Sequence, residues 1–121
     1  MAEPFDRARG FDCCLWVCDW IADQAGIDPA AAMRGAYSDL RGAVALVRSW
    51  GGFVCMWRVH MALAGFNTTR EPQDGDVAVV RDAAGQHVAA IRVGDKWAAK
   101  SRGGVCIEDF PMIVAWSIGR G

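Results

Sequence analysis

GDVAVVRDAAGQHVAAIRVGDKWAAKSRGGVCIEDFPMIVAWSI, residues 75–118, decides the fold class. Short runs of β-branched and apolar residues alternate here with turn formers at close spacing. DVAVV (76–80) reads as a strand, DAAG (82–85) as a turn and HVAAIRV (87–93) as a strand. Gly94-Asp95 turns the chain into KWAAKS (96–101), and Arg102-Gly103-Gly104 turns it into VCIEDF (105–110). Pro111 interrupts before a last strand, MIVAWSI (112–118). Strands joined by such short turns predict an antiparallel meander, because parallel neighbours would need long crossovers.

Upstream the pattern has helical spacing. In DCCLWVCDWIADQAG (12–26), Cys13, Trp16, Val17, Trp20 and Ile21 recur at intervals of three and four. Asp12 is a good N-cap and Gly26 a good C-terminal stop, which predicts a helix from 12 to 25. Asp28-Pro29 opens a short helix ending near Arg34-Gly35. Ser38-Asp39 opens LRGAVALVRSW, Gly51-Gly52 closes it, and FVCMWRVHMALAG continues as a further helix to Gly65. The two make an αα-hairpin. Helices first and strands second argue for α+β in one domain, 1–121. Its expected parts are a leading arm (1–11), a helical part (12–65) and an antiparallel sheet (75–118).

Composition narrows the function classes. The 121 residues carry 13 Lys+Arg against 14 Asp+Glu, a formal charge of −1. That balance argues against non-specific nucleic-acid binding, which depends on excess positive charge. No apolar run reaches the roughly 18 residues of a membrane span, so none is expected. MAEPFDRARGFD lacks the apolar centre of a secretion signal. The cysteines number five, Cys13, Cys14, Cys18, Cys55 and Cys106. An odd count at uneven spacing predicts reduced thiols rather than a disulfide framework. The Cys13/Cys14/Cys18 cluster contains no C-x-x-C pair, so no metal and no cofactor are expected. A zinc- or redox-sensing module built on those three stays as a minor alternative.

Cys13 is the candidate nucleophile. In a helix opened by Asp12 its thiol would lie in the first turn, where unpaired N–H groups and the helix dipole favour a thiolate. A nucleophilic thiol needs a base. Of the two histidines, His60 lies between apolar neighbours inside a helix, whereas His87 opens a strand directly after a turn. His87 is the better base by position.

Together these motifs resemble the NlpC-type cell-wall peptidases, which have a papain-like fold. FDCCLW (11–16) matches the family's Asp-Cys helix, DGDVAVV its Gly-Asp strand start at Gly75-Asp76, and HVAAIRVG (87–94) its histidine strand. RGAY (34–37) and WGGF (50–53) look closer still to small phage and prophage members with an Asp-Cys-Cys helix. The resemblance implies an α+β, papain-like domain whose Cys helix packs on the sheet. It implies a component of the phage tail, made in the bacterial cytoplasm and carried in the virion. Tail-tip or hub proteins would be its partners, and peptide stems of peptidoglycan its substrate.

By that resemblance Cys13 attacks an amide carbonyl and His87 moves the proton, in an acyl transfer completed by water. Asp12 and Cys14 flank the nucleophile as supporting residues. The family's orienting residue on the next strand falls at or near Ala99, which cannot orient an imidazole. Lys100 is adjacent but is expected on the other strand face. Gln86, Asp109 or a backbone carbonyl could take the role. That departure supports a second reading, a structural tail-tip or hub adaptor that keeps the peptidase fold.

The remaining features read as structure. Cys18, Cys55 and Cys106 pack as small hydrophobes. Trp16, Trp20, Trp50 and Trp57 sit at core spacing rather than as a sugar-stacking platform. Arg34, Arg41 and Arg48 step by seven along a solvated face or a partner contact, and Asp76 ends a turn.

Overall fold

The computed structural model describes residues 2–31, 40–101 and 104–118; side chains at 2–13, 40, 43 and 101 lie outside that description. The elements are α1 (Ala2–Ala25), α2 (Leu40–Ser49), α3 (Phe53–Leu63), β1 (Asn67–Thr69), β2 (Val77–Arg81), β3 (His87–Val93), β4 (Lys96–Ser101), β5 (Gly104–Glu108) and β6 (Met112–Ser117). Six strands form one sheet in the order β1-β6-β2-β3-β4-β5, and every neighbouring pair is antiparallel. The fold is α+β, with α1 packed on the sheet, mainly along β3 and then β4.

The expected leading arm 1–11 is not separate: α1 runs unbroken from Ala2. Pro4 falls in the first turn, where its missing N–H has no intrahelical partner to lose. Gly10 costs about 1 kcal/mol against alanine inside a helix, which does not stop it. From Cys14 onward the buried positions are Cys14, Val17, Cys18 and Ile21, a stripe at helical spacing. Gly26 ends the helix with φ of 74°. The Asp28 carboxylate then accepts the Ala30 N–H at 2.9 Å, setting the turn through Pro29. Most of the short helix expected after it, and the RGAY motif, lie outside the described residues.

The α2–α3 hairpin forms as the Gly51-Gly52 pair predicts. Gly51 and Gly52 have φ of 86° and 109°, and the Gly52 N–H donates to the Val47 carbonyl at 3.0 Å. Side chains are strained at such φ values, so glycine is what lets the chain reverse here.

The meander β2-β3-β4-β5 forms as expected, but the last strand does not continue it. β6 returns to the middle of the sheet and pairs with β2 on one side and β1 on the other. Burial explains the choice: Val114 and Trp116 join the core beneath the helices, whereas β5 is mostly exposed. β1, in the stretch between the expected helical part (12–65) and the expected sheet (75–118), is a polar three-residue edge strand paired to Ala115–Ser117.

The sheet has two distinct faces. Val77, Val79, Ala89, Ile91, Val114 and Trp116 face the helices and form the main core with Cys14, Val17, Ile21, Met56, Trp57 and Met61. Ala78, Val80, Ala90, Trp97, Ala99 and Ala115 form a second cluster on the other side with Val88 and Phe110. The Arg92 guanidinium lies 4.8 Å from the Trp97 ring centroid, a cation–π contact on that side.

Candidate functional site

The Gly75-Asp76 motif is an anchor between helix and sheet. The Trp20 indole N–H donates to the Gly75 carbonyl at 2.9 Å. The Gly75 N–H donates to Arg92 O at 2.9 Å, and the Arg92 N–H to Asp76 O at 2.7 Å. The Asp76 carboxylate is 1 % exposed and accepts the N–H of Gln73 at 2.8 Å and of Ile118 at 3.4 Å. A buried carboxylate is tolerated when backbone donors meet it. Asp76 therefore ties the start of β2 to the end of β6, in keeping with its reading as a turn residue.

At the opposite end of β2 and β3, Arg81 and His87 face each other as a cross-strand pair. Residues 82–86 make the connecting turn. The Asp82 carboxylate accepts the N–H of Ala84 and of Gln86, both at 2.9 Å. His87 is exposed and shares its side of β3 with Ala89 and Ile91, the side that faces the helices. An Arg81 guanidinium N–H donates to His87 Nε2 at 3.3 Å. A guanidinium only donates, so this nitrogen is the acceptor and the ring proton sits on Nδ1. Arg81 was given no role from sequence. The signal was present in the symmetric placing of Arg81 and His87 about the turn.

The supporting residues fall as follows. The Gln86 N–H is held by Asp82, and no hydrogen bond joins its side chain to His87 among the described residues. Asp109 is exposed in the β5–β6 connection. Ala99 does not lie on the His87 side; it packs with Trp97 on the other face. The reason is register. Ile91 pairs with Ala98, so the even-numbered residues of β4, Lys100 among them, share the side of His87. The expectation that Lys100 would face away is thereby reversed.

Asp12 and Cys13 belong to α1, but their side chains lie outside the described residues. Because α1 begins at Ala2, residue 13 is well inside the helix, and the first-turn argument for its thiolate no longer applies. Cys14 and Cys18 are buried in the core. With Pro29, Met56, Trp57 and His60 they line a cavity of about 10 Å³. His60 is a core histidine: its Nδ1 donates to Met56 O at 2.9 Å and its ring meets Trp50 edge-on at 4.5 Å. No three His, Cys, Asp or Glu side chains are set to hold a metal ion among the described residues. Cys106 is the wrong sort of thiol for a nucleophile. It donates to Glu108 Oε2 at 2.8 Å, and that bond, with desolvation and the carboxylate charge, raises its pKa.

No helix among the described residues is long and apolar enough to cross a membrane. No curated protein and no solved structure matches the chain. Residues 1–118 match a family described as a domain of unknown function, DUF6950, and the chain belongs to that family.

Proposed function

We propose that this chain is a papain-like cysteine hydrolase domain of the NlpC type, acting on peptide amide bonds of peptidoglycan as part of a phage tail tip. One observation carries the reading: α1, which bears Asp12-Cys13, packs along β3, and His87 opens β3 on the side facing α1. Residue 13 lies two helical turns, ~10 Å, before Trp20 along α1. Trp20 is anchored where β2 begins and β3 finishes. The reading needs α1 to run back from that anchor toward His87, which its packing along β3 favours.

In the reaction the Cys13 thiol gives its proton to His87, and its sulfur bonds to the carbonyl carbon. The carbon–nitrogen bond breaks as His87 returns the proton to the amine. Water then hydrolyses the thioester with His87 as base. The virion setting and the tail-tip or hub partners come with the family resemblance.

A second reading has its own support. Arg81 occupies His87 Nε2, and residue 13 is not at a helix terminus. Both fit an adaptor that keeps the fold without efficient catalysis.

Alkylation by iodoacetamide separates the two. Its rate at each cysteine would be followed against pH in the native protein and in His87→Ala. Fast labelling at Cys13, with an apparent pKa well below ~8.5 and a loss in His87→Ala, supports the hydrolase. Labelling of Cys13 that is slow and indifferent to His87 supports the adaptor.

A further inference from the structure

We propose that β5 is an interface between two copies of this chain. The outer edge of Gly104–Glu108 pairs antiparallel with the same strand of a second copy, about a two-fold axis at Cys106, and joins the two six-stranded sheets edge to edge. The proposal stands apart from the hydrolase reading and uses neither Cys13 nor His87.

Three observations carry it. First, the two edges of the sheet differ. β1, at one edge, is three polar residues, the short kind of edge that does not invite another strand. β5, at the other, has five residues in unbroken register with β4, and carries no lysine and no proline. Val105 and Ile107 are 54 % and 50 % exposed on its helix side, and among the described residues no strand lies beyond them. Second, the backbone faces outward at those two residues. Ser101 and Gly104 are paired with two residues between them. The closing pair of a two-residue hairpin exchanges both of its bonds. Gly104, Cys106 and Glu108 therefore bond toward β4, while the N–H and C=O groups of Val105 and Ile107 point away from it.

Third, the strand complements itself in one register. With the axis at Cys106, Val105 lies opposite Ile107 of the second copy and Ile107 opposite its Val105, two apolar pairs joined by the outward groups. Glu108, the one charge of the strand, lies opposite Gly104 of the second copy rather than opposite another carboxylate. That end of the copy's strand follows the basic stretch Lys100-Ser101-Arg102, so the charges are complementary. An axis at Val105 would set Ile107 against residue 103, beyond the strand, and an axis at Ile107 would set Val105 against Asp109. The Cys106 register alone uses all five residues of β5. A strand pair of this length buries less than the ~1,200 Å² of a standard stable interface, so the dimer is expected to be reversible.

Sedimentation equilibrium of the full chain, with its thiols kept reduced, tests this. A monomer–dimer equilibrium is expected below ~1 mM, weakened about tenfold or more by Val105→Pro and by Ile107→Lys. The proline removes an outward N–H and no bond to β4, and the lysine puts a charge on the edge. Circular dichroism and urea unfolding show whether each variant is folded. Ile107→Lys, at a half-exposed position, carries the test where the proline disturbs the strand. Cross-linking by oxidised glutathione reads the register. It is run at about pH 9, because the bond to Glu108 holds the Cys106 thiol protonated nearer neutral pH. Two Cys106 thiols give up two protons and two electrons to form one S–S bond, and the glutathione disulfide is reduced to two thiols. Facing residues at this non-hydrogen-bonded position lie about 4.5 Å apart at Cα, within the span of a disulfide. Mass spectrometry is expected to find Cys106 linked to Cys106. In a Val105→Cys, Cys106→Ser double variant the introduced thiol faces Ile107 of the other copy, and no link between two positions 105 is expected. A chain that stays monomeric to ~1 mM leaves this edge to some other protein's strand and overturns the proposal. A dimer that Val105→Pro and Ile107→Lys leave intact, or equal cross-linking in the double variant, overturns it as well.

Discussion

The indole N–H of Trp20 and the carbonyl of Gly75 are hydrogen-bonded at 2.9 Å across 55 residues of chain. The bond joins the C-terminal part of α1 to the turn just before β2, and through Gly75 N–H to the end of β3. It sets where α1 sits along the sheet, and so where residue 13 sits. Trp20→Phe keeps most of the apolar contact and removes the donor, leaving a partly buried carbonyl unmet. The expected loss is about 1–2 kcal/mol in urea unfolding. A variant as stable as the parent would show that packing alone places the helix.

Legibility from sequence divided along physical lines. β3 and β4 are found at their predicted bounds and β2 is shifted by one residue, because period-two burial and glycine turns are local signals. The place of β6 was not legible. Its partner is chosen by which strand must bury Val114 and Trp116, a long-range matter. The start of α1 was missed because Asp12 is a plausible cap and Pro4 and Gly10 look like breakers, yet neither stops a helix where it stands. At the candidate site, His87 was legible as the residue after a turn. The face of Lys100 and the contact of Arg81 were not, since both depend on strand register, and one residue of slip reverses every side chain.

Asp76 offers a sharper stability test. Its carboxylate is buried and accepts two backbone N–H groups, one from Gln73 in the turn just before it and one from Ile118, 42 residues on. Asp76→Ala leaves both donors without that acceptor, at a cost of about 2–4 kcal/mol. Asp76→Asn retains one acceptor oxygen and should lose less. Thermal and urea unfolding of the two variants give the comparison. If Asp76→Ala is as stable as Asp76→Asn, the carboxylate does not hold these ends together.

The adjacent cysteines should be told apart by substitution. Cys14 is 1 % exposed among Val17, Ile21 and the α3 residues. Cys14→Ser places a more polar hydroxyl in that cluster and is expected to lower stability by about 1–3 kcal/mol. Under the proposed function, Cys13→Ser removes hydrolysis of peptidoglycan fragments. A Cys14→Ser protein that is fully stable yet inactive, beside an active Cys13→Ser, would move the nucleophile by one residue and reject the assignment.

Cys106 gives the pH test. Its thiol donates to the Glu108 carboxylate, which favours the protonated form, and desolvation and the carboxylate charge act in the same direction. A raised thiol pKa means that the reactive thiolate appears only as pH climbs further, so the alkylation curve of Cys106 should lie to the alkaline side of a free model thiol. Glu108→Gln removes the charge and the strong acceptor, so the curve should move back toward lower pH and the rate at neutral pH should rise. Mass-spectrometric alkylation rates per cysteine report both changes. Because Cys106 is held protonated in this way, labelling at neutral pH is expected to fall elsewhere. Rapid labelling of Cys106 at neutral pH in the parent protein would show that the bond to Glu108 does not govern this thiol.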